Sequence, residues 1–328
     1  MGLQNLANGE RMGNRALSVC YALVGVLSVC QTERLSGQEL RFSGYLQPRF
    51  QSVGDSASFF LRRARVAVEA QVTSWATFRA QVEMRTTGAP AVPPNSPLTI
   101  SATDLYIRMN DRQWGATVGQ FRVPYSLESL LSSSILEPPE RSQIVGVARR
   151  DIGVLADWHI PELTLQAAVV DGEGPNRASN PDNRMAYFAR AVVTPLEGLD
   201  VGGAVAAYPD STGMDAQAIY RSTRWVSRAE YIRSRERGTG IRTTGWYALA
   251  GYTAVPKRLQ LLGRVQQYDP SNQVATDRLT GYGVIAQYFF NGDDLKLVLN
   301  YELFREQTVQ VKNNRFVVQM QARFGNGR

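Results

Sequence analysis

The sequence predicts an all-β chain that closes into a 16-stranded antiparallel barrel across a membrane. Three patterns predict it: runs of about 8–14 residues in which apolar and polar side chains alternate, connections that alternate between short and long, and aromatic residues near the strand ends. The mean hydropathy of -0.24 fits this class of protein, because only every second residue of a barrel strand faces lipid.

The N-terminal segment has the layout of a secretory signal. Two arginines precede an uncharged apolar run from 16 to 29, and a polar stretch follows it. This run is too short to cross a bilayer as a helix. We therefore expect residues 1–30 to be a signal peptide, with Met12 as an alternative start. A lipoprotein signal, with Cys30 as the modified residue, is the competing interpretation.

The inventory of reactive side chains argues against metal or triad chemistry. Both cysteines, Cys20 and Cys30, lie within the predicted signal, so a chain cleaved after them would contain none. His159 is the only histidine, and it lies beside a proline at a predicted strand end, where we expect a structural role. The sequence therefore predicts neither a cofactor nor a metal site.

The barrel is predicted over residues 42–324, after a short periplasmic lead-in at 31–41 and before a tail at 325–328. Strand-like segments within it are separated by Gly, Pro, Asn and Asp. The sixteen predicted strands are 42–52, 58–72, 75–86, 99–110, 113–121, 151–159, 163–171, 184–195, 199–208, 215–222, 224–235, 241–255, 259–268, 279–290, 295–305 and 314–324.

Alternation alone does not separate a membrane barrel from a soluble β-sandwich, which shows the same period of two. The lengths of the connections favour the barrel, because short periplasmic turns and longer extracellular loops alternate along such chains. Short connections include 73–74, 111–112, 160–162, 196–198 and 291–294, and long ones include 87–98, 122–150, 172–183 and 269–278.

Aromatic residues near the predicted strand ends favour two interfacial girdles at the membrane surfaces. The alternative is ordinary packing in a soluble core. The aromatic residues concerned are Trp75, Trp114, Trp158, Trp225, Tyr288, Phe290 and Phe324.

Arginine dominates the basic residues, at 33 of 36 Lys+Arg, and the formal net charge is +7. The planar guanidinium group binds carboxylate or phosphate through two hydrogen bonds, which an ammonium group does not. Nucleic-acid binding usually gathers such charge on one face. Here the arginines are spread along the chain, so we expect no nucleic-acid partner.

The segment VGQFRVPYSLESLLSSSILEPPERS at 118–142 resembles the signature region of the phosphate-selective porin O and P family. The segment FFLRRARVAVEA at 59–70 is similar to that family's second strand. The resemblance covers about residue 40 to the end. It implies a trimeric outer-membrane porin whose long third loop folds into the lumen. The matching residues are Gly119, Gln120, Phe121, Pro124, Tyr125, Ser126, Glu128, Ser132, Ser133, Glu140, Arg141 and Ser142.

Strand parity predicts an arginine ladder inside the barrel. An arginine facing lipid costs about 2–4 kcal/mol at mid-bilayer, so lumenal positions are preferred. A ladder of this kind would replace part of an anion's hydration. The alternative, which is compatible with the first, is that these arginines pair with Glu69 and Glu83 and brace the wall. The predicted pore-lining anion contacts are Arg63, Arg65, Arg79 and Arg85.

The long segment 122–150 is the predicted constriction loop, with Glu128, Glu137 and Glu140 as counter-charges. An exposed extracellular loop without a gating role is the alternative. The predicted anion contacts in this segment are Arg122, Ser132, Ser133, Arg141, Arg149 and Arg150, and secondary lumenal candidates are Arg224, Arg228, Arg264 and Arg323.

Together with the resemblance, these patterns predict passive diffusion of small anions, phosphate or small carboxylates, through a barrel embedded in outer-membrane lipid. The resemblance implies that this barrel is a homotrimer. The first alternative is a structural or adhesin-type barrel whose lumen is plugged. A barrel enzyme that uses His159 as its base and a net-basic periplasmic binding module are more remote hypotheses.

Overall fold

The prediction of a 16-stranded antiparallel barrel is confirmed by a computed structural model, which describes residues 39–86, 98–145, 150–177, 179–308 and 311–325. Each strand pairs with its sequence neighbours, and the first strand closes the barrel against the last. No helix in these ranges is long and apolar enough to cross a membrane. The predicted signal peptide lies outside the described residues.

The sixteen strands agree with the predicted ones to within a few residues at each end. They are β1 Leu40–Val53, β2 Ser56–Gln71, β3 Ala76–Thr86, β4 Leu98–Asp111, β5 Trp114–Arg122, β6 Arg150–Ile160, β7 Leu163–Val170, β8 Ala186–Leu196, β9 Leu199–Ala207, β10 Ser211–Arg221, β11 Trp225–Glu236, β12 Arg242–Val255, β13 Leu259–Asp269, β14 Leu279–Asn291, β15 Leu295–Glu306 and β16 Arg315–Phe324.

The predicted strict alternation of short and long connections is wrong at two places. The two ends of the barrel chain and all five short connections named from the sequence lie at one rim, as expected. At the other rim, however, β1 and β2 are joined by residues 54–55 alone, and β9 and β10 by residues 208–210. Most connections at the long-loop rim are therefore long, but these two are as short as the turns at the other rim.

The period of two arises because one face of each strand meets lipid and the other meets the lumen. On β15, Leu299 and Tyr301 are 40% and 42% exposed on the outer face, whereas Asn300 and Glu302 are buried on the inner face. The polar inner face is the more buried one because the third loop and long side chains fill much of the lumen.

The structure has two aromatic girdles. The seven aromatic residues that were predicted to be divided between them all belong to the same girdle. All seven lie at the ends of strands on the short-turn rim. The girdle nearer the long-loop rim is built from residues that the sequence analysis did not single out. Its exposed members include Phe59, Tyr187, Tyr231, Trp246, Tyr282 and Phe316.

The third loop leaves β5 at residue 123 and, over its described residues 123–145, turns inward. Its first residues form an apolar anchor, in which Val123 is buried with Phe121, Leu155 and Phe188 on the inner wall. The loop then forms a four-residue helix, α1 Leu127–Leu130, and later a 3-10 turn at Gln143–Val145. This path carries the loop across the lumen.

Gly119 lies where the signature segment approaches this loop. Its φ of +122° is a conformation that side chains other than glycine rarely adopt, and a Cβ there would lie 2.4 Å from the carbonyl oxygen of Leu105. A close approach between β4 and β5 therefore explains why a glycine occupies this position.

We expect Gly119→Ala to lower the free energy of unfolding by about 1–3 kcal/mol, because the added methyl group strains this crossing. Urea unfolding in lipid vesicles, followed by tryptophan fluorescence, measures the change. Gly263→Ala is the matched control, since no heavy atom lies within 4 Å of its added Cβ, and its effect should stay within about 0.5 kcal/mol. Equal effects of the two substitutions would contradict the explanation.

Candidate functional site

The third loop is held against opposite walls of the lumen. On one side Gln47 Nε2 donates to the carbonyl oxygen of Ser133 at 3.1 Å, and Gln321 Nε2 donates to that of Ser134 at 2.9 Å. On the opposite wall the Ser126 amide donates to Asp215 Oδ2 on β10 at 3.0 Å, and between the two walls the Gln143 amide donates to Gln266 Oε1 on β13 at 2.8 Å. The loop therefore spans the barrel and narrows it.

Glu140 is the loop's main contact with β1 and β2. Its carboxylate forms ion pairs with Arg49 and Arg62, and Arg63 Nη2 lies 3.8 Å from it. Burial alone would raise the pKa of Glu140, but the guanidinium groups of Arg62 and Arg49 hold that pKa well below its usual range. The carboxylate is therefore ionised wherever the loop is in place.

Glu128 is the corresponding contact with the far wall, and its side chain has no exposed surface. Its Oε1 lies 3.4 Å from Arg228 and 3.9 Å from Arg264. Its Oε2 accepts a hydrogen bond from the amide of Ser142 at 2.6 Å, which closes the loop on itself. Arg228 also pairs with Glu137 at 2.8 Å.

The start of α1 is held by two carboxylates from the wall. The amide of Ser126 donates to Asp215 Oδ2 at 3.0 Å, and the amide of Leu127 donates to Glu230 Oε1 at 2.9 Å. Ser126 has a φ of +68°, which is unusual for a residue with a side chain. These hydrogen bonds hold the loop in that conformation.

The four predicted pore-lining arginines lie on β2 and β3, where each is within reach of a carboxylate. Arg65 pairs with Glu83 at 2.5 Å, and Arg63 lies 3.9 Å from the same carboxylate. Arg79 pairs with Glu69 at 3.1 Å. Arg85 is the most accessible, with a side chain 45% exposed and 4.0 Å from Glu83. The ion pairs with Glu69 and Glu83 that the alternative interpretation expects are thus present.

The predicted anion contacts of the constriction segment are mostly engaged within it. The guanidinium of Arg141 donates to the carbonyl oxygens of Glu128 and Leu131, both at 2.8 Å, and to Ser133 Oγ at 3.3 Å. Ser132 Oγ lies 3.0 Å from Ser134 Oγ.

The ends of this segment are also engaged. Arg122 donates to the carbonyl oxygen of Leu130 at 2.6 Å, and Arg150 pairs with Asp104 at 2.6 Å. Arg149 lies outside the described residues.

The secondary candidates divide into three kinds. Arg228 and Arg264 are buried between the loop and the wall, as described above. Arg323 pairs with Asp294 near the short-turn rim at 2.7 Å. The prediction for Arg224 needs correction, because this residue lies exposed in the turn between β10 and β11 and donates to Tyr252 Oη at 3.0 Å. This turn, residues 222–224, contains none of the Gly, Pro, Asn or Asp residues that mark turns elsewhere in the sequence.

Several lumenal arginines were missed by sequence reasoning. Arg49 and Arg315 follow the parity of β1 and β16, so strand parity could have found them. Arg62 could not be found that way. A β-bulge opposite Gln47 and Pro48 leaves Arg62 unpaired in the ladder, and this turns both Arg62 and its neighbour toward Glu140.

Two cavities lie on either side of α1, beside β9 and β10. The one toward the short-turn rim has a volume of about 310 Å³ and is lined by the leucines of α1 and by Arg190 and Arg221, with Asp200 among its walls. The one toward the long-loop rim has about 250 Å³ and includes Tyr125 and Glu236. The hydrogen bonds at the start of α1 separate the two.

No group of three or more His, Cys, Asp or Glu side chains in the described part of the chain is arranged to hold a metal ion.

Comparison with known families supports the resemblance noted from the sequence. The family model of the phosphate-selective porins O and P matches residues 41–225. The chain belongs to this family. It is therefore an outer-membrane porin, and the long-loop rim of the barrel is the extracellular one. A comparison with curated protein sequences gave no match.

Solved structures show the same fold at low sequence identity. The trimer form of OmpT, an outer membrane protein of Vibrio cholerae, has a TM-score of 0.64 at 10% identity, over 88% of this chain and 100% of that one. OmpF of Salmonella typhi, solved with daunomycin, has a TM-score of 0.61 at 14% identity, over 88% and 97%. OpdK of Pseudomonas aeruginosa has a TM-score of 0.56 at 11% identity, over 88% and 99%.

We expect Glu128→Gln to destabilise the porin by about 1–3 kcal/mol, because Arg228 and Arg264 lose a buried acceptor while each keeps a second carboxylate. Urea unfolding in vesicles measures the loss. The matched control is Glu173→Gln, an exposed position in the following loop, which should change the value by less than about 0.5 kcal/mol. If the two variants behave alike, Glu128 does not anchor the loop.

We expect the contribution of Glu140 to disappear only in strong acid. Its pKa in the folded porin lies below the ordinary value of 4.5, so its stabilising effect is fully present above that value and is lost as the pH falls through the lower, folded pKa. The urea midpoint of the wild type should therefore decrease below about pH 4. Glu140→Gln should remove this part of the profile, and an unchanged profile in the variant would refute the assignment.

Proposed function

We propose that this porin passes small anions, phosphate or small carboxylates, by passive diffusion through an arginine-lined lumen. The observation that supports it is an excess of guanidinium over carboxylate on one wall. Among the described residues there, seven arginines share four carboxylates. The arginines are Arg49, Arg62, Arg63, Arg65, Arg79, Arg85 and Arg150, and the carboxylates are Glu69, Glu83, Asp104 and Glu140.

This excess has a physical consequence for solutes. Three guanidinium groups around one carboxylate leave net positive charge in a region where water is partly excluded, and a mobile anion is the group that balances it. The same charge repels cations. Selectivity for anions would follow even though each arginine also braces the wall.

The more accessible arginines line the cavity on the short-turn side of α1. Arg190 donates to the side-chain oxygens of Gln166 and Gln217 at 3.0 and 2.9 Å, and Arg221 is exposed at the end of β10. Within the described residues neither has a carboxylate within ion-pairing distance. An anion that leaves the constriction toward the periplasm would meet both groups.

Passage without chemical change is part of the same proposal. His159 lies near the short-turn rim, where its Nδ1 is 2.7 Å from Thr164 Oγ1, away from the constriction. We also propose a homotrimer, supported by the shared fold of OmpT in its trimer form. The mass of the porin extracted in mild detergent tests the assembly directly.

A plugged, non-conducting barrel is the second candidate. The loop contacts opposite walls and is fixed by buried ion pairs at Glu128 and Glu140, and this favours a permanently narrow lumen. Purified porin that inserts into planar bilayers and gives no conductance steps would establish this candidate instead.

We expect the wild type to show anion-selective steps in planar bilayers, measured by reversal potentials in a salt gradient. Arg190→Gln combined with Arg221→Gln should reduce the ratio of anion to cation permeability by at least about fivefold, since each of the two removed charges contributes about 1 kcal/mol at 4 Å in water, which is about a factor of five. Both substitutions leave the ion pairs of the loop in place, so the size of the steps should change little.

Arg224→Gln is the matched control, because this arginine is exposed in a turn on the same rim and should leave the reversal potential unchanged. Cation selectivity of the wild type would contradict the proposal. An equal effect of the control and the double variant would show that selectivity arises from overall charge and not from the lumen.

A further inference from the structure

The outer face of β11 and β12 changes character toward the extracellular rim. Ala229 and Ala248 lie opposite each other, and Tyr231 and Trp246 are the next opposed pair along the strands. These two aromatic residues are 40% and 37% exposed. Aromatic residues at such positions mark the level at which hydrocarbon gives way to lipid headgroups.

Three arginines, here called the outer-rim arginines, follow this aromatic row on the same face. Arg233 is the next outward position on β11, and Arg235 is the one after it, directly opposite Arg242 on β12. At about 3.4 Å per residue, the opposed pair lies roughly 14 Å beyond the aromatic row along the strands. The arginines therefore lie at headgroup level.

The opposed pair is electrostatically unbalanced. Side chains directly opposite each other have Cβ atoms about 4.5–5.5 Å apart, and like charges there are destabilising. Among the described residues, no outer-rim arginine has a carboxylate within ion-pairing distance. Nearby Asp210 and Asp269 are paired with Arg184 and Arg278, and Glu236 lines the lumenal cavity instead.

A groove begins next to the aromatic row, at Ala229 and Ala248, and runs through the middle of the membrane toward the short-turn rim, where Leu199 and Tyr220 line it. Small side chains on the outer face of β10 to β13 leave a depression of about 640 Å³, with Ala218, Ala229, Ala248, Ala250 and Gly263 among its lining residues. A depression of this kind fits an acyl chain, because its lining is mostly apolar and it faces lipid. The charged site and the groove lie on the same strands, in line with each other.

We propose that the outer-rim arginines and this groove bind a phosphorylated glycolipid of the outer leaflet, of the diphosphorylated lipid A class. The guanidinium groups would hold a phosphate group by paired, charge-assisted hydrogen bonds. The groove would hold one of its acyl chains. A lipid is favoured over free phosphate because the arginines lie on the wall's outer face, separated from the lumen by the strand backbone.

The experiment uses the full-length porin in detergent, stripped of lipid, with diphosphorylated lipid A added and binding followed by native mass spectrometry. Arg235→Gln combined with Arg242→Gln should weaken binding at least about tenfold, since each arginine near an anionic headgroup contributes strongly. Arg258→Gln, an exposed arginine in a turn at the opposite rim, is the matched control and should bind as the wild type does.

Stability gives a second readout that does not depend on the affinity measurement. Without lipid, the double variant should be at least as resistant to urea as the wild type, because a like-charge pair has been removed. Added lipid A should raise the midpoint of the wild type and not that of the double variant. If the two arginines instead had a structural role, the double variant without lipid would be less resistant to urea than the wild type.

Three outcomes overturn the proposal. The first is equal affinity of the wild type and the double variant for lipid A, and the second is equal affinity of the wild type for dephosphorylated lipid A. The third is displacement of lipid A by millimolar inorganic phosphate, which would make the site one for a free anion.

Discussion

Pairing of buried charge is the constraint on which the lumen depends. Glu128 and Glu140 are carried into the barrel by the third loop, and the guanidinium groups on the facing walls offset the cost of burying these carboxylates. Each of these wall arginines in turn has a carboxylate of the loop within ion-pairing distance. The loop and the two walls are therefore one electrostatic unit, and the width of the passage is set by ion pairs as much as by the backbone of the loop.

This arrangement gives the arginines two tasks that are hard to separate. Arg49 and Arg62 hold the loop through Glu140 and also belong to the wall with excess positive charge. Arg228 is fully enclosed between the loop and the wall, and within the described part of the chain its ion-pair partners are Glu128 and Glu137. Position along the barrel, not the residue type, decides which arginines hold the loop and which also face solutes.

The sequence predicted the fold well because the lipid and lumenal faces impose a period of two on every strand, and all sixteen strands were found. It predicted the side of the wall for Arg65 and Arg264, but it could not predict which carboxylate each would meet, since the loop brings together residues distant along the chain. Arg62 was missed because a bulge interrupts the period. Arg224 was misplaced because the turn that contains it has no strong sequence signature.

The two arginines of the cavity on the short-turn side of α1 differ from the other lumenal arginines because they do not hold the loop. Arg190 and Arg221 take no part in the ion pairs that hold the loop, so their charge can be altered without widening the constriction. A natural lineage, or an engineer building a nanopore sensor, could therefore retune which analytes are admitted while keeping the same size cut-off. Changes at Glu140 or its partners would alter both properties together.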